Sequence, residues 1–309
     1  GTFSPDMWAH QYVQQANQVV CRVSEDRVYT NNGPDANLFG LEPNYGCCTA
    51  NMHQGWPKFS AHCWMRMPSK ALGMPVGLAA VAYAPCRLNT EVNGKPVRVR
   101  VETDYPFRDT VRVTVTGDGE FPVAFRVPGW TQNATLQIGD EAAVSVTPGT
   151  FHTLSRTWQG DTVVTLRFPM TATVERRFND SAAVSRGPLV YSLRIGAEWK
   201  PLRGEAPHND FEVLPTTPWN YALELDAAKP EASFRFEEAP IGANPFDPAT
   251  PPLRAYVKGK LLPGWDIEHN AAAPPPQSPV TSTEPVTELE LIPYGCAKLR
   301  ITEFPVLDQ

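Results

Sequence analysis

Several features that would assign this chain of 309 residues to a class at once are missing from it. No apolar run approaches the ~20 residues that a membrane-spanning helix needs, so no membrane partner is expected. Acids and bases are interspersed around a net charge of −6, without a basic stripe, so nucleic acid is not an expected partner either. The first residues, Gly1-Thr2-Phe3, include no initiator methionine, and no charged stretch leading into an apolar one marks a secretion signal. Internal repeats are absent. Cysteine is sparse: six in a chain of this length are an ordinary count rather than a disulfide framework, and no Cys-x-x-Cys or His-x-x-x-His spacing stands among them.

Proline, by contrast, is abundant. The 32 prolines are twice the usual share of ~5%. Because proline breaks helices and central strands, the excess predicts many short strands and ordered loops. From Gly77 the apolar residues recur with a period of two. "PVRVRVE" and "TVRVTVTG" alternate strictly, "GLAAVAYAP" is almost wholly apolar, and short segments of the same kind follow between Gly, Asp and Pro. That spacing predicts a β-sandwich over 76–197. A more broken pattern over 198–309 predicts a second, smaller sandwich, with "NAAAPPPQSPVTS" as a connector inside it.

Residues 1–75 read as helix and loop. "SPDMWAHQYVQQANQVV" places Trp8, Tyr12, Ala16 and Val19 on one side of a helix that Ser4 or Asp6 would cap. A loop dense in Asn, Gly and Pro follows. A second helix is predicted with Thr49 or Asn51 as its cap and Met52, Trp56, Phe59, Cys63 and Met67 at helical spacing; Pro57 implies a kink or a later start. Two helices enclose no core of their own, so they read as the end of a larger helical domain.

Chemistry concentrates in "NYGCCTANMHQGWPKF", residues 44–59, where Cys47 and Cys48 are adjacent. Neighbouring Cα atoms lie about 3.8 Å apart, below the ~4.4–6.8 Å of ordinary disulfides. The pair is therefore expected as reduced thiols or metal ligands, which suits a cytoplasmic location. Gly46 permits a tight turn before them. The following helix offers unpaired N–H groups and the positive end of its dipole, surroundings that favour thiolate, the nucleophile and metal ligand. The other reading makes both of them small core residues.

The longer phrase "GPDANLFGLEPNYGCCTANMHQGWPKF" resembles the surroundings of the cysteine pair in glycoside hydrolase family 127-type proteins, the β-L-arabinofuranosidase-like enzymes. The resemblance continues in order through "GLAAVAYAP", "AVSRGPLVYSL", "FEVLPTTPWNYAL" and "LIPYGCAKLRITEFP". It implies a mainly β chain: two β-sandwich domains preceded by a helical remnant of an (α/α)6 barrel, with residues 1–75 as the C-terminal part of that barrel. It implies retaining hydrolysis in which Cys47 is the nucleophile. It also implies that Cys47 and Cys48 bind zinc together with a Glu and a third Cys from upstream, where a further Glu is the acid/base. The implied partners are an arabinose-containing glycan or similar sugar and the upstream barrel portion of the same protein; a homo-oligomer is compatible with the sequence.

The chain also departs from that pattern. A Glu-x-Cys motif is lacking, since Val19, Tyr45, Gly46, Ala61, Ala84 and Tyr294 stand two places before the six cysteines. The upstream zinc ligands and the acid/base therefore have no counterpart, and the chain alone is expected to be inactive. Tyr45 stands where some relatives carry a His that lines the sugar site. Glu42, Asn32 and Asp35, with Asn31, are candidates for sugar hydroxyls, although such residues also serve loop turns. His53 lies one helical turn after the pair, as a ligand or an ordinary helix histidine. Trp130, Trp158, Trp199, Trp219 and Trp265 form either a sugar-stacking platform or packing. Asn133 and Asn179 head glycosylation triplets at near-chance frequency. The alternative function is a non-catalytic β-sandwich module for glycan binding or assembly.

Overall fold

The structure is a computed structural model that describes residues 3–26, 31–42, 46–67 and 76–308, except for the side chains of Cys48, Thr49, Met52 and His53. The chain is mainly β and divides into two compact units. A middle unit comprises residues 52–171, and a composite unit joins residues 1–51 to 172–309.

In the middle unit, six strands form an antiparallel sheet in the order Val144–Ser145, Thr135–Ile138, Asp161–Arg167, Thr110–Thr116, Lys95–Thr103, Cys86–Val92. Four more lie in the order Phe151–Trp158, Gly119–Arg126, Gly77–Ala80, Trp64–Met67, the middle two running parallel. The alternation read in the sequence is realised here. Val97, Val99, Val101, Val111, Val113 and Val115 are buried, while Arg98, Arg100 and Arg112 between them are exposed. These valines share one core with Phe121, Val123, Phe125 and Trp158 of the other sheet, which makes the unit a sandwich. The Trp158 ring stacks on Phe121, and its indole N–H donates to the Phe121 carbonyl at 2.8 Å, so the largest core side chain has its polar atom satisfied.

The composite unit holds a main sheet in the order Ala172–Arg176, Ala182–Arg186, Leu189–Leu193, Val286–Pro293, Leu253–Leu261, Tyr221–Leu223. Arg235–Glu238 and Glu303–Phe304 pair alongside it. A four-stranded sheet runs His10–Gln11, Phe39–Gly40, Asp210–Pro215, Ala197–Arg203. The units are thus drawn differently from the expected boundaries at 75 and 197. The three strands from 172 to 193 pair in series and the last of them, Leu189–Leu193, pairs with Val286–Pro293, while His10–Gln11 and Phe39–Gly40 belong to the sheet completed by Ala197–Arg203 and Asp210–Pro215.

The helix predicted over residues 4–20 does not form. Met7 takes a left-handed backbone, φ 67°, which interrupts a helix outright. Ser4 and Asp6 make a turn instead of a cap: Ser4 Oγ accepts from the Ala9 N–H and donates to Asp6 Oδ1. Farther along, Gln18 exchanges backbone hydrogen bonds with Arg300 at 2.9 and 2.8 Å, and Asn17 Oδ1 accepts from the N–H groups of Thr302 and Glu303. Arg300 is fully buried and donates to the side-chain oxygens of Gln11 and Gln18. A buried cation needs acceptors, and an extended segment supplies both backbone and side-chain ones.

One α-helix is found among the described residues, α1 (Cys47–His62). It begins at the cysteine pair, two residues before the expected cap, and runs through Pro57 without a later start. Its described side chains from Ala50 to His62 are exposed. Met67, placed on this helix by its spacing, lies in the strand Trp64–Met67. No described helix is long and apolar enough to cross a membrane.

Candidate functional site

The antiparallel strands His10–Gln11 and Phe39–Gly40 set the geometry around Cys47. His10 pairs with Gly40 and Gln11 with Phe39. No side chain fits at Gly40, because Asp210 Oδ1 occupies the place a Cβ would take. Past this strand the chain reaches Gly46 and enters α1, where the Gly46 carbonyl accepts from the Ala50 N–H at 3.2 Å. Glycine at 46 leaves room for a carboxylate: an added Cβ would lie 3.0 Å from Glu42 Oε1.

Cys47 is half-buried, the first residue of α1, and its Sγ donates to the Tyr12 hydroxyl at 3.7 Å. His10 is buried. Burial holds its imidazole below the ordinary value, against the opposing pull of the Glu42 carboxylate, and its Nε2 has no hydrogen-bond partner. The thiol therefore meets a phenol, and the Glu42 carboxylate lies beside Gly46, the residue before it. Four other thiols are pushed away from thiolate by burial: Cys21 to about 12, Cys296 to about 11, and Cys63 and Cys86 in the same direction. Those four are packing residues.

The remaining candidates divide. Glu42 is exposed beside Gly46 and within electrostatic reach of His10. Asp35 is engaged by Arg203, whose Nη2 meets Asp35 Oδ2 at 2.5 Å while its Nε meets Asp210 Oδ2 at 2.5 Å, so it braces the loop over the four-stranded sheet. Asn32 is half-buried in the same loop and Asn31 is exposed. Tyr45, and the side chains of Cys48 and His53, lie outside the described residues. The tryptophans proposed as a platform are packing residues: Trp158, Trp219 and Trp265 are buried, Trp199 packs on Phe39 and Phe211, and Trp130 packs against the middle unit's core. Tyr12, which the sequence reading assigned to a helix, is the residue whose hydroxyl meets Cys47.

Zinc demands four ligands in a structural or thiolate-rich site. Among the described residues no three His, Cys, Asp or Glu side chains converge as a metal group. The donors here are the Cys47 thiol and the nearby Glu42 carboxylate, with Cys48 adjacent in the chain, so these residues do not complete a zinc site themselves.

The fold is like that of part of several solved structures. A solved structure described as a glycoside hydrolase matches with a TM-score of 0.67 at 21% identity, over 99% of this chain and 46% of its own. A GH127 beta-L-arabinofuranosidase from Geobacillus stearothermophilus T6 matches with a TM-score of 0.55 at 21% identity, over 85% of this chain and 37% of its own. A further GH127 beta-arabinofuranosidase matches with a TM-score of 0.64 at 14% identity, over 99% and 43%. At these identities the likeness shows the fold, and the chain spans less than half the length of each structure. Residues 77–170 match the family model described as the beta-L-arabinofuranosidase GH127 middle domain. The chain resembles the C-terminal portion of GH127-type, β-L-arabinofuranosidase-like proteins. Among curated proteins none matches it.

Proposed function

We propose that this chain is the C-terminal part of a retaining glycoside hydrolase that acts on an arabinose-containing glycan, with Cys47 as its nucleophile. The observation that carries the reading is the placement of Cys47 at the first residue of α1, half-buried and against the Tyr12 hydroxyl, while four other thiols are held protonated by burial.

In the first step the Cys47 sulfur attacks the anomeric carbon. The bond from that carbon to the leaving oxygen breaks, and the oxygen takes a proton from an acid on the upstream barrel portion. In the second step water attacks the same carbon and the carbon–sulfur bond breaks. The water proton passes to the group that acted as acid, and Cys47 is regenerated with the configuration retained. Tyr12 holds the thiol in place, and Glu42 is positioned beside the entrance to the helix. Cys47 and Cys48 are two of four zinc ligands in this reading, and the other two lie on the upstream portion. Bound zinc keeps thiols deprotonated and oriented.

The test is turnover of an aryl β-L-arabinofuranoside by the protein carrying its upstream portion. Cys47→Ser should reduce the rate by more than ~10³-fold, since a hydroxyl is a far weaker nucleophile at neutral pH. The 309-residue chain alone should show no turnover, because general acid catalysis contributes about 10²–10⁴-fold. Near-normal turnover by Cys47→Ser removes the reading. The alternative, a sheet-borne glycan-binding module, draws no support from the tryptophans of the sheets, which are packed.

A further inference from the structure

In the middle unit, the strand Phe151–Trp158 lies at the end of the four-stranded sheet. It pairs with Gly119–Arg126 at all eight positions, without a bulge, and among the described residues no strand pairs with its other side. A sheet end leaves a row of backbone N–H and C=O groups that is a template for a further strand, and proteins blunt such ends with proline, lysine, bulges, shortness or cover. The other sheet ends among the described strands are treated in this way. Val144–Ser145 and His10–Gln11 have two residues each, and Trp64–Met67 has four. Ala197–Arg203 carries Pro201 and shifts register beside it. Along Cys86–Val92 the Arg66 guanidinium donates to the Glu91 carbonyl at 3.1 Å. Ala172–Arg176 exposes Glu175 and Arg176, Arg235–Glu238 is charged, and the chain's last residues bond the backbone of Leu223 in Tyr221–Leu223. Phe151–Trp158 has no proline, lysine or acid. Phe151, Thr153, Ser155 and Thr157 alternate along its exposed face, and its one arginine, Arg156, lies over the Trp158 ring of the same strand at 5.5 Å.

We propose that Phe151–Trp158 is a pairing edge, to which the same strand of a second copy of this chain adds antiparallel about a two-fold axis at Ser155. A second copy is favoured because the strand is complementary to itself. In a two-fold contact each residue meets the counterpart of the one that meets it. With the axis at Ser155, Thr153 faces Thr157 of the second copy and Leu154 faces Arg156, so the exposed face carries a row of hydroxyl pairs and no like charges meet. With the axis at Leu154, His152 faces Arg156 instead, two basic side chains opposite each other. One open edge per chain also fixes the number of copies. Once two strands pair, both edges are closed, and assembly stops at two. The contact is small and made largely by backbone hydrogen bonds, so the dimer dissociates on the order of 10–100 μM.

The test is sedimentation velocity of the 309-residue chain. It should show monomer at about 1 μM and a growing fraction of dimer, with nothing larger, up to about 300 μM. Ser155→Lys sets two ammonium groups opposite each other and should weaken dimerisation at least ~10-fold, and Ser155→Glu should do the same with two carboxylates. Mixed in equal amounts, the two variants should dimerise at least as tightly as the unaltered chain, because opposite charges then meet at the axis. Asn89→Lys, at an exposed position of Cys86–Val92, should dimerise as the unaltered chain does. Ser155 is exposed, so thermal unfolding of its variants at about 1 μM should match that of the unaltered chain. An unaltered chain that stays monomeric throughout overturns the proposal, as does undiminished dimerisation by Ser155→Lys. A mixture no tighter than either variant alone overturns the antiparallel pairing at Ser155, and species larger than a dimer overturn the single open edge.

Discussion

Burial pushes the Cys21 thiol up to about 12 and the Cys296 thiol up to about 11, and it acts in the opposite direction on a cation two residues from Cys296. Lys298 is 5% exposed. Its Nζ donates to the carbonyls of Phe246 at 3.3 Å and Gly295 at 3.2 Å, and burial pulls it down to about 8 from 10.5. Between those two values the unfolded chain binds a proton that the folded chain does not, so stability rises with pH there. The penalty for the buried ammonium is complete below about 8 and gone above 10.5, about 3 kcal/mol at the limit. The two raised thiols act oppositely. Their stabilisation is present below the ordinary 9.0 and is lost as pH climbs through about 11 and 12. Urea unfolding from pH 8 to 9 should therefore show stability increasing in the unaltered chain and a flat profile in Lys298→Met. A profile that falls in the unaltered chain contradicts this account. At this scale the position of Cys47 at a helix start was legible because its signal is local: a glycine, two thiols and a capping residue within a few positions. Tyr12 was not, because its contact with Cys47 crosses 35 positions.

At the scale of the element, α1 contains Pro57 at an interior position and exposes its described side chains from Ala50 onward. Interior proline removes one backbone hydrogen bond and crowds the preceding turn, at a cost of about 3 kcal/mol. Pro57→Ala should deepen the 222 nm ellipticity of the chain and raise its helical stability; an unchanged spectrum would mean the helix already accommodates the ring. The strands were the most readable elements. The valine alternation of Lys95–Thr103 and Thr110–Thr116 became the buried face of a sheet, since a period of two has one geometric solution once one face is covered. Trp8, Tyr12, Ala16 and Val19 have helical spacing as well, yet no helix forms. Pairing of Gln18 with Arg300, 282 residues away, outweighed a local preference worth tenths of a kcal/mol per residue.

On the scale of the whole molecule, the composite unit depends on segments from both ends of the chain. Arg300 is where they are fastened: its guanidinium serves Gln11 and Gln18, its backbone pairs with Gln18, and Tyr294 lies under it at 5.2 Å while accepting from its Nη1 at 3.1 Å. Arg300→Met would leave two buried amide oxygens without their donor, each costing about 1–3 kcal/mol. Denaturant unfolding should show a loss of about 2–4 kcal/mol, and a loss below ~1 kcal/mol would mean that the fastening is made by the backbone alone. The mainly β class and the sandwich beginning at Gly77 were readable from period and turn residues. The joining of residues 1–51 to 172–309 was not, because strand partners hundreds of residues apart leave no local trace.

The proposed role of Cys47 as nucleophile is tested most directly by trapping an intermediate on it. The protein carrying the proposed upstream portion is incubated with a fluorinated aryl β-L-arabinofuranoside, digested, and mapped by mass spectrometry. The account predicts one glycosyl adduct per chain on the peptide containing Cys47, absent from Cys47→Ser. An adduct on another residue, or turnover that persists in Cys47→Ser, would contradict it.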